Sequence, residues 1–90
     1  MTLTYEEHLV DLLSDIKKML LAKHHDYGTN NLKKRGLPGI MVRLDDKIAR
    51  IDNLLMNQEN VHVEDESIVN TFIDIAGYAI QAILLEEGKL

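Results

Sequence analysis

The sequence predicts an all-α chain, and three observations carry that prediction. Apolar residues recur at three- and four-residue intervals over three long stretches, with no sustained alternation of the kind a strand needs. The first stretch opens on a helix-start signal, Thr4-Tyr5-Glu6-Glu7. Glycines cluster between the first two stretches, and another follows the last.

Helix 1 is expected from about Tyr5 to His25. The Thr4 hydroxyl and the Glu7 carboxylate can satisfy its first free amides, and Tyr5, Leu9, Leu12, Leu13, Ile16, Met19 and Leu20 make one apolar face. Gly28 is placed to end it in a left-handed turn. Glu7, Asp11 and Asp15 repeat at i, i+4, i+8 and read as a solvated face. The run from Gly28 to Gly39, GTNNLKKRGLPG, reads as a loop. Its three glycines, two asparagines and the only proline support that reading. Pro38 suits the first turn of helix 2, which runs to about Asn57 with Met41, Leu44, Ile48, Ile51 and Leu55 as its core stripe. A polar connection from Gln58 to Val63 follows. The acids Glu64, Asp65 and Glu66 then suit the positive end of helix 3, which continues to about Glu87 and stops at Gly88. Helix 3 carries two apolar stripes: Ile68, Phe72, Ile75, Ala79 and Ala82, and Val69, Ile73, Ala76, Ile80 and Leu84. A helix apolar on two faces is expected to be buried on two sides, one of them against another subunit.

Ninety residues allow one domain, 1–90. A chain this short buries only roughly 60–65% of its unfolded surface, so its core is marginal alone. Cysteine is absent, which excludes disulfides and thiolate metal sites. A partner subunit is the remaining support, and the expected architecture is a three-helix chain assembling into an oligomeric helical bundle. No basic-then-apolar leader is visible, so the expected location is cytoplasmic. The apolar region from Ile68 to Leu85 includes Asn70, Asp74 and Gln81, a poor composition for a membrane span.

The net charge of −5 argues against a DNA or RNA polymer as partner. That average hides a split. From Lys23 to Arg50 there are seven basic residues and three acidic ones, which leaves −9 for the remainder. Such asymmetry suggests a local anion site on an acidic body.

Three constellations could form that site. Lys23 continues the apolar face of helix 1, and a lysine so placed needs an anion or a route to water. It is followed by Asp26, Tyr27 and Asn31. On helix 2, Arg43, Asp46, Lys47 and Arg50 share one side, either as an ion-paired surface or as a phosphate clamp. On helix 3, Glu66, Asn70, Asp74 and Tyr78 fall at four-residue steps. Asp74 sits in the most apolar part of the chain, so it needs a cation from another helix or a metal. Gly77 allows a close approach. His25-Asp26 forms an "HD" pair, but the remaining histidines, His8, His24 and His62, lack the spacing of a metal-dependent phosphohydrolase. No phosphate-binding glycine loop or nucleophile motif occurs.

The order K-x-x-D-Y-G-x-x-N (Lys23 to Asn31), G-x-x-G-I-x-V-R-x-x-D-K-x-x-R (Gly36 to Arg50) and D-I-A-G-Y-A (Asp74 to Ala79) resembles the small phage and bacterial nucleotide modification associated domain proteins. Those in turn look like distant relatives of the MazG-type all-α nucleoside triphosphate pyrophosphatases. The resemblance implies an oligomeric, helical, nucleotide-handling protein. Its site would use Lys23, Asp26, Tyr27, Asn31, Arg43, Asp46, Lys47, Arg50, Asp74 and Tyr78. Two departures matter. MazG-type metal sites pair carboxylates at i, i+3, and no Asp or Glu pair here has that spacing. The closer relatives read E-D-T where this chain has Val69-Asn70-Thr71, which removes charge that would help hold a divalent cation.

The expected function is binding of a linear or cyclic nucleotide without strong catalysis. A phage-type sponge for a nucleotide signal, working in the host cytoplasm, is the concrete form. Lys23, Arg43, Lys47 and Arg50 would hold phosphates, Tyr27 and Tyr78 would stack, and Asp26, Asn31 or Asp74 would read base or ribose. One alternative is a Mg²⁺-dependent pyrophosphohydrolase with Asp46, Glu66 and Asp74 on the metal. The other is a structural helical protein whose stripes are ion-paired surfaces.

Overall fold

The computed structural model describes residues 2–56 and 68–90. They form three helices, α1 (Tyr5–Tyr27), α2 (Asn30–Met56) and α3 (Ile68–Glu86), with no strand among the described residues. The all-α prediction therefore holds. The expected start of helix 3 at Glu64 to Glu66 and the polar connection lie outside the described residues.

The start of α1 follows its sequence closely. The Glu7 amide donates to the Thr4 hydroxyl at 3.1 Å, and the Thr4 amide donates to the Glu7 carboxylate at 3.2 Å. The end of α3 is equally local. The Gly88 amide donates to the Leu85 carbonyl and the Lys89 amide to the Leu84 carbonyl, with Gly88 at positive φ. That pair of bonds is a Schellman stop. At the other junction α1 runs two residues past His25, and the Gly28 amide still donates to the His24 carbonyl at 2.8 Å.

The expected loop from Gly28 to Gly39 is a correction. Helix resumes at Asn30, and only a kink at Gly36 interrupts it. Leu32, Lys33, Lys34 and Arg35 are all good helix formers, and they outweigh the asparagines before them. Gly36 adopts φ 64, ψ −160, a region essentially reserved for glycine. The chain turns there, and Pro38 enters the first turn of the longer segment beyond.

Among the described residues the helices do not share one large core, and the buried apolar side chains are Ile16, Ile40 and Ile51. α2 packs along α3, whereas α1 touches α3 over its second half and barely meets α2. The crossing of α1 and α3 centres on Gly77, which is buried. A Cβ there would lie 3.0 Å from the Met19 methyl and 3.3 Å from Leu20.

Two expected faces shift in consequence. On α1 only Ile16, Met19 and Leu20 are covered, and Tyr5, Leu9, Leu12 and Leu13 are exposed. On α2 the covered line is Ile40, Leu44, Lys47, Ile51 and Leu54, while Met41, Ile48 and Leu55 are exposed. The inward line is rotated from the predicted one, and Lys47 sits at its centre.

α3 departs furthest from expectation. One apolar stripe was expected to be covered by its own chain and the other by another subunit; within this chain both stay partly open. Its buried residues are Thr71 and Gly77, and Asp74, Tyr78 and Gln81 are half-buried beside them. Val69, Phe72, Ala79 and Ile83 lie open. The polar face turns toward α1 and α2 because it carries the ion-pairing carboxylate and the small residue at the crossing.

Gly77→Val should therefore destabilise the chain by about 1–3 kcal/mol through overpacking against Met19 and Leu20. Urea denaturation measures this, and unchanged stability would place the crossing elsewhere.

Candidate functional site

Three helices deliver charge to one place. Lys23 comes from the last turns of α1, Lys47 from the covered line of α2 and Asp74 from the inward face of α3. The Lys47 ammonium lies 3.0 Å from one Asp74 carboxylate oxygen, and the Lys23 ammonium lies 4.0 Å from the other. All three side chains are partly shielded, with Asp74 29% exposed. The cation that Asp74 was expected to need is thus supplied twice. One acid against two lysines leaves a surplus positive charge, and Arg43 adds another nearby.

Beside this group opens a cleft of about 870 Å³, at the large end of the roughly 300–1,000 Å³ found for small-molecule sites. Lys23, Tyr27, Asn31, Arg43, Asp74 and Tyr78 line its polar part. Leu13, Ile16, Met19, Leu20, Ile80 and Leu84 line its apolar part. A cavity with apolar walls and a few convergent polar groups is the usual form of a ligand site.

The ten candidate residues divide. Six line the cleft, and Lys47 reaches it through Asp74. Asp26 is not part of the wall; it is exposed and faces the His25 ring at 3.2 Å. Asp46 is exposed and Arg50 half-buried, and neither belongs to the wall. Of the helix 2 stripe only Arg43 lines the cleft, with Lys47 behind Asp74. Sequence reasoning missed Lys17, Gln81 and Lys89, which also line the cleft, as do His24 and Thr29 of the run after Lys23. Gln81 was within reach of the pattern, since it lies seven residues after Asp74 and three after Tyr78 on the same helical face.

Among the described residues no three His, Asp or Glu side chains come together as a metal site, and Glu66 lies outside them. The donor set fits Mg²⁺ poorly for a physical reason. Asp74, the one candidate metal ligand described in the cleft wall, already faces two ammonium groups that a dication would have to displace.

This is an all-α chain with a cationic cleft between its helices. A family model described as Nucleotide modification associated domain 1 matches residues 23–85, and the chain belongs to that family. The match begins at Lys23 and spans the whole charged group, including Lys47 and Asp74. No curated protein and no solved structure matches the chain.

Partly exposed ion pairs contribute little, so Asp74→Asn should cost about 1 kcal/mol or less in stability, and the loss should shrink in high salt. Denaturation at two salt concentrations checks this. A salt-independent loss several times larger would mean that the carboxylate is fully desolvated.

Proposed function

We propose that the cleft binds a phosphate-bearing nucleotide, and that the protein acts by holding this ligand. The single observation that carries the reading is the convergence of Lys23 and Lys47 on one carboxylate, with Arg43 in the wall of the adjoining cleft, in a chain of net charge −5. Cations gathered against the overall charge mark a place for an anion.

The roles follow from chemistry and position. Arg43 offers a planar fork that can bind a phosphate with two parallel hydrogen bonds, while Lys23 and Lys47 act as point charges. Tyr27 and Tyr78 present rings at the cleft wall on which a base can stack. Asn31 offers both a donor and an acceptor to a base edge or ribose. Asp74 holds the two lysines in place and moderates their charge. The apolar part of the cleft accepts the less polar faces of base and sugar. The family's association with nucleotide modification supports the ligand class. A sponge-like role, sequestering a linear or cyclic nucleotide, fits a site rich in cations and poor in free carboxylates. The MazG-type hydrolytic reading would need acids beyond those gathered in this cleft.

The test is a thermal-shift panel with nucleoside mono-, di- and triphosphates, cyclic dinucleotides and unphosphorylated nucleosides, each with and without Mg²⁺. A phosphate-bearing ligand should raise the melting temperature and be recovered intact, while nucleosides should not act. Arg43→Ala should weaken that binding by roughly tenfold or more, since a charge-assisted hydrogen bond contributes about 1.5–3 kcal/mol. Its unliganded stability should remain near wild type, because Arg43 is exposed. Nucleosides binding as well as nucleotides would contradict the phosphate reading. Pyrophosphate release would replace binding by hydrolysis.

A further inference from the structure

The cationic group at Asp74 occupies only one end of the cleft. Lys23 on α1 faces Asp74 on α3, and Met19 and Leu20 face Gly77, so the two helices run antiparallel along it. Followed in that register, the wall passes from Leu20 and Gly77 to Ile80, and then to Leu13 and Leu84. A second pair of cations stands toward this far end. Lys17 lines the cleft between Leu13 and Leu20, four residues after one and three before the other, on the same side of α1. Lys89 reaches the wall from beyond α3. Its amide donates to the Leu84 carbonyl at 2.8 Å, which seats it beside the last turn of that helix.

We propose that Lys17 and Lys89 form a second anion subsite, and that the ligand carries two phosphate groups on opposite sides of a nucleoside. A nucleoside 3′,5′-bisphosphate has that chemistry, and so does a dinucleotide with a 5′-phosphate. The inference rests on the nucleotide reading and names the ligand class within it.

Three observations select separated phosphates over a single polyphosphate chain. The first is spacing. Lys17 and Lys23 are six residues apart on α1, about 9 Å along the helix axis. Phosphates joined through shared oxygens lie side by side and would crowd at one end. The second is the wall between the two ends. Leu20, Gly77 and Ile80 offer no side-chain donor there, so charged oxygens laid across them would lose water without replacement. A base and sugar suit that stretch, with the Tyr78 ring and the Gln81 amide beside it. The third is charge. Asp74 is the one acid among the described residues of the wall, and it belongs to the first end. Near the second end Glu87 lies 3.3 Å from the Lys89 ammonium, with both side chains at least half exposed. An exposed pair of that kind is weak and does not fix the ammonium.

Isomeric ligands test the inference. A nucleoside 5′-diphosphate and the 3′,5′-bisphosphate of the same nucleoside have the same atoms and differ in where the second phosphate sits. Titration calorimetry with both isomers for each of the four common bases should show tighter binding of a bisphosphate. Lys17→Ala should weaken that bisphosphate by roughly threefold to fivefold, the size of an exposed ion contact, and leave the diphosphate unchanged. Alanine is a good helix former at this exposed position, so the fold should survive. Lys18→Ala removes the same charge from an exposed residue outside the wall and should change neither isomer. Dinucleotides with a 5′-phosphate should share the dependence on Lys17. Equal binding of the two isomers, tighter binding of the diphosphate, or an equal loss of both in Lys17→Ala would overturn the second subsite and leave the nucleotide reading standing. Failure of every nucleotide to bind would overturn that reading and this inference with it.

Discussion

The contact on which the rest of this structure depends is the Asp74 carboxylate held between Lys23 and Lys47. A carboxylate in the middle of an apolar helix must find cations, water or a proton. Here it finds two lysines from two other helices, at 4.0 and 3.0 Å. That contact lies on the side of α3 that faces its own chain. It also draws the end of α1 toward α3, where Gly77 removes the side chain that would otherwise hold them apart.

Much else follows from that orientation. Because the polar side of α3 turns inward, the space between the helices is lined by cations, tyrosines and amides, and becomes a cleft where a closed core would otherwise form. Because the apolar side turns outward, the chain carries surface that water covers at a cost. At about 25 cal/mol per Å², such surface is worth several kcal/mol to any partner that removes it from solvent. The polar side of the cleft and the open apolar stripe are two sides of one helix. Among the described residues the buried apolar side chains are few, Ile16, Ile40 and Ile51.

The fold was largely legible in the sequence where local rules govern. The capping box at Thr4 and Glu7 and the glycine stop at Gly88 depend on residues three or four apart, and both appear as read. The loop between α1 and α2 was misread because asparagine and glycine signals at Gly28 to Asn31 and at Gly36 were joined across a helix-forming run. The covered faces were less legible. Periodicity identifies an apolar stripe but not whether its own chain covers it, and on α3 neither of the two apolar stripes is fully covered within this chain. The site was legible in part. Lys23 and Asp74 were singled out as charges that lie where apolar residues belong, and they meet. Asp26 was taken with the polar run after Lys23 and Asp46 with the polar stripe of helix 2, and the structure places both outside the cleft wall. Gln81 was passed over because its helical register with Asp74 was not followed to the next turn.

The most direct test of the central contact is a double-mutant cycle on unfolding free energy with Lys47→Met, Asp74→Asn and the pair together. If Asp74 orients α3 through Lys47, the two losses should fail to add, with a favourable coupling of about 0.5–1 kcal/mol that falls as salt is raised. Strict additivity at low salt would contradict this account, because the two groups would then not hold each other and the inward polar face of α3 would need another cause.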